Sequence, residues 1–431
     1  MDIRRLMDRG ILRTLMATAP ALLACNGDDP ADIEIEEEPV LSVELSPTSA
    51  VLAEGETLQL TALVTDENGA VVQDAAIVWT SDDESVVTVD DEGLVTAVGW
   101  GAEAVVSASV EDATDEAAVT LLHQIAFETD EPEWRIVVVN ADGSGQRTLP
   151  ADPVEELSPA WSPDGTTLAF ESYREANGDI GVYIINADGS GLVLLTPDAG
   201  GDLWPKWSPD GTRITFISDR GGLAQIWIMN PDGGEPVPLT ASPSHHADHQ
   251  WSPDGSAIVF ERDDGTSQLW VMNADGSDEL NLTPSPGDHS EPVWSPDGER
   301  IAFRSFRDGN GEIYVMNADG SGQVNLTNDA ANDRMPVWSP DGSRIAFETE
   351  RDGNREIYVM NPDGSDPINL TDDPSRDELP AWSPDGSMIA FGSDRDGDPG
   401  IFVMAPDGGG QTRLTSGTPL DERPLAWRPR E

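Results

Sequence analysis

The five-residue motif W-S-P-D-G returns along this chain at a nearly constant interval. Six copies and a degenerate seventh begin at Trp161, Trp207, Trp251, Trp294, Trp338, Trp382 and Trp427. Successive tryptophans are separated by 46, 44, 43, 44, 44 and 45 residues, and a second motif, N-x-D-G, keeps the same step. A sequence copied at such a period forms one structural unit per copy, so the unit decides the fold.

Each unit carries the signals for four short β-strands. Residues 301–303 and 313–316 are apolar runs, a shorter strand ends at Thr327, and another strand runs into each tryptophan. In the segment 295–298, proline presets one turn position and glycine the left-handed one, which predicts a tight hairpin. Four strands in about 44 residues are typical of a β-propeller blade. We expect each tryptophan to pack between neighbouring blades.

The number of blades follows from the second-strand motif, which occurs seven times. Its phenylalanines are Phe127, Phe170, Phe216, Phe260, Phe303, Phe347 and Phe391. Only the first copy lacks a preceding W-S-P-D-G strand, while a strand with no blade of its own remains at residues 423–427. We therefore expect residues 123–431 to form a seven-bladed propeller with four-stranded blades, in which the C-terminal strand completes the first blade.

Two further segments precede the repeats. Residues 26–39 are acidic and rich in small side chains, which predicts a solvated linker. Residues 40–122 contain about seven short, alternating, β-branched runs with turn signals between them, such as residues 91–93. This pattern is typical of a small β-sandwich. The predicted fold class is all-β, with an Ig-like sandwich followed by the propeller.

Both predicted domains resemble known families. The repeats resemble those of TolB-type propellers through W-S-P-D-G, I-A-F-x-S, R-D-G-N and I-Y-V-M-N-A-D-G-S-G, over about 300 residues. Residues 40–122 resemble the bacterial Ig-like domain of the BIG type through segments 78–81, 86–89 and 93–97. The resemblance implies the fold more strongly than the function, because similar blades serve as envelope scaffolds, as gating domains of peptidases and as pectin-fragment lyases.

The first 25 residues are arranged like a secretory signal. The uncharged residues 14–24, too few to span a bilayer, follow four arginines: Arg4, Arg5, Arg9 and Arg13. The segment 22–25, Leu-Leu-Ala-Cys, resembles the lipobox of bacterial lipoproteins, which implies lipidation of Cys25, and Asn26 implies sorting to the outer membrane. We expect a cell-envelope lipoprotein held at the membrane only by its lipid anchor. The alternative is an ordinary signal with an incidental cysteine.

The charge of the chain restricts its partners. There are 24 basic and 81 acidic residues, which gives a formal net charge of -57. Such a surface repels phosphate backbones, so nucleic acid is excluded as a partner. Lys206 is the only lysine, and the remaining positive charge is carried by arginines, which pair well with carboxylates.

No catalytic machinery is recognisable in the sequence. Cys25 is the only cysteine, which excludes cysteine catalysis and an internal disulfide, and no hydrolase domain with a G-x-S-x-G motif follows the repeats. We therefore predict a non-catalytic, monomeric propeller that binds an envelope or extracellular protein or glycan. The alternative function is a metal-assisted enzyme that degrades polysaccharide.

Candidate site residues lie where individual units depart from the repeat. Repeats arise by copying, so a local departure marks a candidate binding site. Aromatic side chains in the second to fifth blades offer stacking surfaces for a ligand: Tyr173, Trp204 and Phe306. Imidazoles and carboxylates in the same region form a candidate site for a divalent metal, the one cofactor considered: His246, His249, His289, Asp202 and Asp333. The alternative is sequence drift in surface loops, with no cofactor.

A recurring pair of charges accompanies these departures. An acid or histidine stands three residues before the proline of each first strand, as Asp202 and Asp333 do, or at the equivalent position. Arginines recur just after the second strands, among them Arg220, Arg307 and Arg351. Acids crowded at a channel mouth require cations, so we expect a ring of Asp–Arg pairs between blades at that mouth.

Overall fold

A computed structural model describes residues 40–129, 134–150, 154–174, 179–197, 200–415 and 425–429. The signal, the lipidation site at Cys25 and the linker lie outside these residues. The described residues form strands and turns only, and no helix in them is long and apolar enough to span a bilayer. The predicted all-β class is confirmed.

Nine strands form the Ig-like domain. They are β1 (Ser42–Ser46), β2 (Ser49–Leu52), β3 (Thr57–Gln59), β4 (Thr61–Thr65), β5 (Val78–Ser81), β6 (Val87–Val89), β7 (Leu94–Ala97), β8 (Glu103–Val110) and β9 (Ala113–Leu121). Strands β2, β9, β8 and β5 form one sheet, β3, β7 and β6 a second, and β1 pairs with β4. Strands β3 and β4 are separated at Leu60, whose backbone N–H donates to the carbonyl of Gly93. The Ig-like class is confirmed.

The first four blades follow directly. Blade one contains β10 (Gln124–Thr129), β11 (Arg135–Asn140), β12 (Arg147–Leu149) and, from the far end of the chain, β37 (Ala426–Trp427). Blade two contains β13 (Glu156–Trp161), β14 (Thr167–Ser172), β15 (Gly181–Asn186) and β16 (Val193–Leu194). Blade three contains β17 (Asp202–Trp207), β18 (Ile214–Ser218), β19 (Gln225–Met229) and β20 (Val237–Pro238), and blade four β21 (His245–Trp251), β22 (Ala257–Asp263), β23 (Ser267–Asn273) and β24 (Leu280–Asn281).

Three more blades complete the ring. Blade five contains β25 (His289–Trp294), β26 (Arg300–Ser305), β27 (Glu312–Asn317) and β28 (Val324–Asn325). Blade six contains β29 (Asp333–Trp338), β30 (Ile345–Thr349), β31 (Glu356–Met360) and β32 (Ile368–Asn369), and blade seven β33 (Asp377–Trp382), β34 (Ile389–Ser393), β35 (Gly400–Met404) and β36 (Thr412–Arg413). All seven blade sheets are antiparallel, and β37 pairs with β10 as the sequence predicts.

The hydrophobic core lies between the blades. The phenylalanine of each second strand is buried, and the apolar side chains of one blade pack against the first and second strands of the next. Tryptophan side chains add a polar link, since Nε1 of Trp207 donates to the carbonyl of Ala160 at 3.2 Å and Nε1 of Trp427 to that of Ala381 at 2.9 Å. The predicted role of the tryptophans between blades is confirmed.

Candidate functional site

The first strands of the blades converge on a channel that contains a cavity of about 500 Å³. Every blade contributes to its wall, from Glu128 in blade one to Leu379 in blade seven. Prolines line the wall in five blades and stiffen the strands there: Pro159, Pro205, Pro292, Pro336 and Pro380.

Each first strand from blade two to blade seven contains a β-bulge in this wall. One residue of each bulge has a positive φ between 33° and 60°; we call these the bulge residues: Ser158, Trp204, Asp248, Glu291, Met335 and Leu379. All six line the cavity. A left-handed backbone is unfavourable for such residues and persists only where the surroundings hold it, which is common at binding sites.

Carboxylates of the neighbouring blade hold the bulges in place. Glu171 accepts a hydrogen bond from the backbone N–H of Trp204 at 2.9 Å, and Glu348 accepts one from that of Leu379 at 2.7 Å. Glu128 binds the N–H of Ser158 in the same way. Each glutamate follows the buried phenylalanine of a second strand, so the preceding blade fixes the bulge of the next.

Blade five replaces this glutamate with an arginine, and the bridge changes accordingly. Arg304 lies 3.2 Å from the carboxylate of Glu291, the bulge residue of its own blade. The other carboxylate oxygen of Glu291 accepts a hydrogen bond from the backbone N–H of Met335 in blade six at 2.5 Å. The backbone N–H of Glu291 in turn donates to the carboxylate of Glu261 at 2.9 Å. A bulge residue therefore supplies the carboxylate that Arg304 cannot.

Burial shifts the titration of several groups around the channel. Burial, followed by the nearby charge of Asp248, raises the pKa of Glu261 to about 8. Burial raises the pKa of Glu348 to about 7 and that of Asp248 to about 6. Burial lowers the pKa of His249 to about 3, so this imidazole is neutral. The carboxyl groups of blades four and six around the channel therefore hold protons that exposed carboxyl groups would release.

The chemistry of the cavity wall differs from blade to blade. Acidic bulge residues stand in the adjacent blades four and five, and apolar ones, Met335 and Leu379, in blades six and seven. Three arginines also reach the cavity, Arg304, Arg334 and Arg355, each within 3.6 Å of a glutamate carboxylate. Lys206 lines the same cavity and makes no ion pair with a described residue. The site offers apolar, aromatic and charged contacts over a short distance.

The predicted ligand-binding residues are separated by the structure. Trp204 lines the cavity with 39% of its surface exposed. Tyr173 and Phe306 are exposed by 41% and 36% but lie outside the cavity wall, and Phe306 stacks on the guanidinium of Arg304 at 4.4 Å. Of the six bulge residues, the sequence analysis predicted only Trp204 as a site residue. All six directly precede the proline of a first strand, or His249 in blade four, and this position could have identified them from the sequence.

The predicted metal ligands are not brought together. They belong to four blades, and no group of three or more His, Cys, Asp or Glu side chains among the described residues is arranged to hold a metal ion. Nε2 of His249 lies 2.9 Å from the hydroxyl of Thr215, and the carboxylates of Asp202 and Asp333 are paired with arginines. The described donor set does not fit a metal centre.

The predicted ring of acid–arginine pairs exists, but its geometry differs from the prediction in two respects. Arg220 and Asp202 are 2.7 Å apart, and Arg395 and Asp377 are 2.8 Å apart, in each case within one blade and not between blades. The acids are also fully buried and not exposed at a mouth. The first strand starts opposite the end of the second strand, and this antiparallel register places both partners in the same sheet.

Comparison with known families decides the classification. Residues 119–264, 251–335 and 325–429 match the TolB beta propeller domain, and residues 39–121 match the bacterial Ig-like domain of group 2. The chain belongs to the TolB beta propeller family. Its TolB-type propeller therefore follows an Ig-like domain, as the sequence predicts.

Solved structures share this fold at low sequence identity. TolB from Acinetobacter baumannii is 18% identical with a TM-score of 0.50, covering 82% of this chain and 83% of that one. An oligogalacturonate lyase in complex with manganese is 18% identical with a TM-score of 0.54, covering 68% and 85%. The propeller domain of the Pyrococcus furiosus Trilobed protease is 12% identical with a TM-score of 0.52, covering 75% and 97%. A comparison with curated proteins gives no match.

Proposed function

We propose that this protein is a non-catalytic binding protein of the bacterial cell envelope, whose TolB-type channel receives part of an envelope or extracellular protein or a glycan. The bulge residues support this function. The repeat keeps its turns, its buried phenylalanines and its interblade tryptophans, yet the six bulge positions carry six different residues. The structural positions repeat, whereas these six cavity-lining positions vary from blade to blade.

The chemistry of the wall defines what the channel would bind. Trp204 provides a flat face for a sugar ring, a proline or an aromatic side chain, next to Lys206. Met335 and Leu379 provide an apolar contact in blades six and seven, while Asp248 and Glu291 provide hydrogen-bond acceptors in blades four and five. A ligand with an apolar portion and donor groups at its other end suits this arrangement.

Attachment to the envelope is proposed through Cys25. The described residues contain no apolar span, and the lipobox-like segment supplies a lipidation site. With Cys25→Ser, we expect the protein to move from the membrane fraction to the soluble fraction of fractionated cells. A variant that remains entirely in the membrane fraction would exclude the lipid anchor.

The binding function is tested by capture from an envelope extract. Trp204→Gly removes the ring and suits the left-handed backbone, so this variant should fold at least as well as the parent. Tyr173→Ala removes an exposed aromatic ring outside the cavity wall and serves as the matched control. We expect Trp204→Gly to lose at least tenfold in captured partner and Tyr173→Ala to retain it. Equal capture by both variants would contradict binding in the channel.

A further inference from the structure

The acid–arginine pair of the blades has a defined three-point geometry. In blade three, Nε of Arg220 donates to the hydroxyl of Ser218 at 2.9 Å, and Nη2 donates to the carboxylate of Asp202 at 2.7 Å. Blade seven repeats this geometry, with Arg395 bound to Ser393 at 2.8 Å and to Asp377 at 2.8 Å. The hydroxyl anchors the guanidinium, and the carboxylate of the first strand neutralises it.

Blade five keeps the arginine and loses the acid. Nε of Arg307 donates to the hydroxyl of Ser305 at 3.0 Å, and Nη1 donates to Gln323 at 2.7 Å. His289 occupies the position of the aspartate, paired with Ser305 in the register that pairs Asp202 with Ser218. Blade five therefore has two basic side chains at the positions where blades three and seven have one base and one acid.

Three buried polar atoms at this place have no hydrogen-bond partner among the described residues. They are Nη2 of Arg307 and both ring nitrogens of the fully buried His289. The backbone of Ser285 approaches the imidazole, but the Ser285 hydroxyl is itself buried without a partner. A buried donor without an acceptor destabilises the folded state, and more so when it is charged.

The nearby carboxylates already accept hydrogen bonds from other residues. Asp308 binds the hydroxyl of Tyr314 and the amide of Asn325, and Asp288 accepts the N–H of Ser267 at 3.1 Å. The ring of Tyr314 lies 4.6 Å from the guanidinium carbon of Arg307 and holds it in position. Neither acid forms an ion pair with Arg307 in the described residues.

Blade four shows how the same replacement is compensated. His246 stands at the aspartate position there, but Asp264 stands at the arginine position. The ring nitrogens of His246 lie 3.3 Å from the carbonyl of Ala224 and 3.3 Å from the hydroxyl of Ser242. Blade four exchanges both charges of the pair, whereas blade five exchanges only one.

We propose that blade five binds a small anion, a halide or the carboxylate of a ligand, between Nη2 of Arg307 and the imidazole of His289. The anion supplies the acceptor that the aspartate carboxylate supplies to the arginine in blades three and seven. Arg307 is only partly buried, which leaves a route to solvent. A single metal ion at His289 is disfavoured because the guanidinium repels it.

Thermal unfolding of the full chain tests this site. Chloride, bromide, formate and acetate each replace gluconate at constant sodium concentration, so that screening of the surface charge stays the same. We expect a saturable rise in melting temperature of about 2 °C or more with the anion that binds. A response to halides alone assigns a free halide, and a response to formate or acetate as well assigns a carboxylate.

Two variants make the result specific to blade five. His289→Asp restores the blade's own carboxylate and should abolish the anion response without loss of stability. Asp202→His recreates the unbalanced pair in blade three, and we expect it to gain a second anion response. Bromide should also give an anomalous peak beside Arg307 in crystals of the parent. An absent response in the parent, or an equal response in His289→Asp, would overturn the proposal.

Discussion

The guanidinium carbon of Arg428 lies 3.3 Å from the ring centroid of Trp100, which joins the last strand of the propeller to the Ig-like domain. Nε1 of Trp100 donates to the carbonyl of Pro429 at 2.7 Å, and Arg428 pairs with Glu54 at 2.6 Å. Arg428 also donates to Gln124 in blade one and to the carbonyl of Gly165 in the turn between β13 and β14 of blade two. The buried side chain of Arg428 thus links the Ig-like domain to the C-terminal strand that closes the propeller ring.

This connection predicts that the two domains unfold together. Arg428→Ala leaves the buried acceptors of Gln124 and Gly165 unpaired and removes the ion pair with Glu54 of the Ig-like domain. We therefore expect a loss of about 3 kcal/mol or more and a separate unfolding transition of the Ig-like domain. Trp100→Ala should have the same effect to a smaller degree. Differential scanning calorimetry measures both, with Tyr173→Ala as the control. A single unshifted transition in Arg428→Ala would contradict the connection.

Ring closure gives a second prediction. Trp427 is buried between blades seven and one, and its Nε1 binds the carbonyl of Ala381. Trp427→Ala should lower the free energy of unfolding by about 3 to 5 kcal/mol, measured by denaturant titration. Val193→Ala, an exposed residue on the outer strand of blade two, should change it by less than about 0.5 kcal/mol. Similar losses in the free energy of unfolding of both variants would contradict a stabilising role for ring closure.

The buried carboxyl groups predict how stability depends on pH. The raised pKa values of Glu261 and Glu348 mean that both groups still hold protons in the folded protein at pH values where they are ionised in the unfolded chain. Below about pH 6.5 the buried histidines act with the opposite sign, because their lowered pKa values keep them neutral when the unfolded chain is protonated. The free energy of unfolding should therefore fall as pH rises from about 6.5 to 8, by up to about 1.4 kcal/mol per pH unit for each glutamate.

Glu261→Gln isolates this effect, since the amide oxygen still accepts the N–H of Glu291 but no longer titrates. We expect the variant to be more stable than the parent at pH 8 and to lose less stability as pH rises from about 6.5 to 8. Glu299→Gln, at an exposed turn, should leave the slope unchanged. An unchanged slope in Glu261→Gln would show that Glu261 ionises normally.

The sequence predicted the architecture because the repeat is regular, but it predicted only part of the candidate site. The motif spacing identified the blades, the interblade tryptophans and the C-terminal strand that pairs with β10. The bulges were missed because left-handed backbone at Met335 or Leu379 has no signature in residue type. The acid–arginine pairs were wrongly expected between blades. In an antiparallel hairpin Asp202 lies opposite Ser218, two residues before Arg220, and this register places the acid and the arginine in the same blade.

Lys206 provides the most direct test of the channel as the binding site, because it is the only lysine in the chain and it lines the cavity. An amine-reactive cross-linker attached there reports on the channel and, apart from the amino terminus, on no other position; Lys206→Arg is the matched control. The proposed function predicts cross-links from Lys206 to the captured partner, their loss in Lys206→Arg, and protection of Lys206 from labelling in the complex. A partner that binds while Lys206 stays as reactive as in the free protein, with no cross-link from it, would contradict binding in the channel.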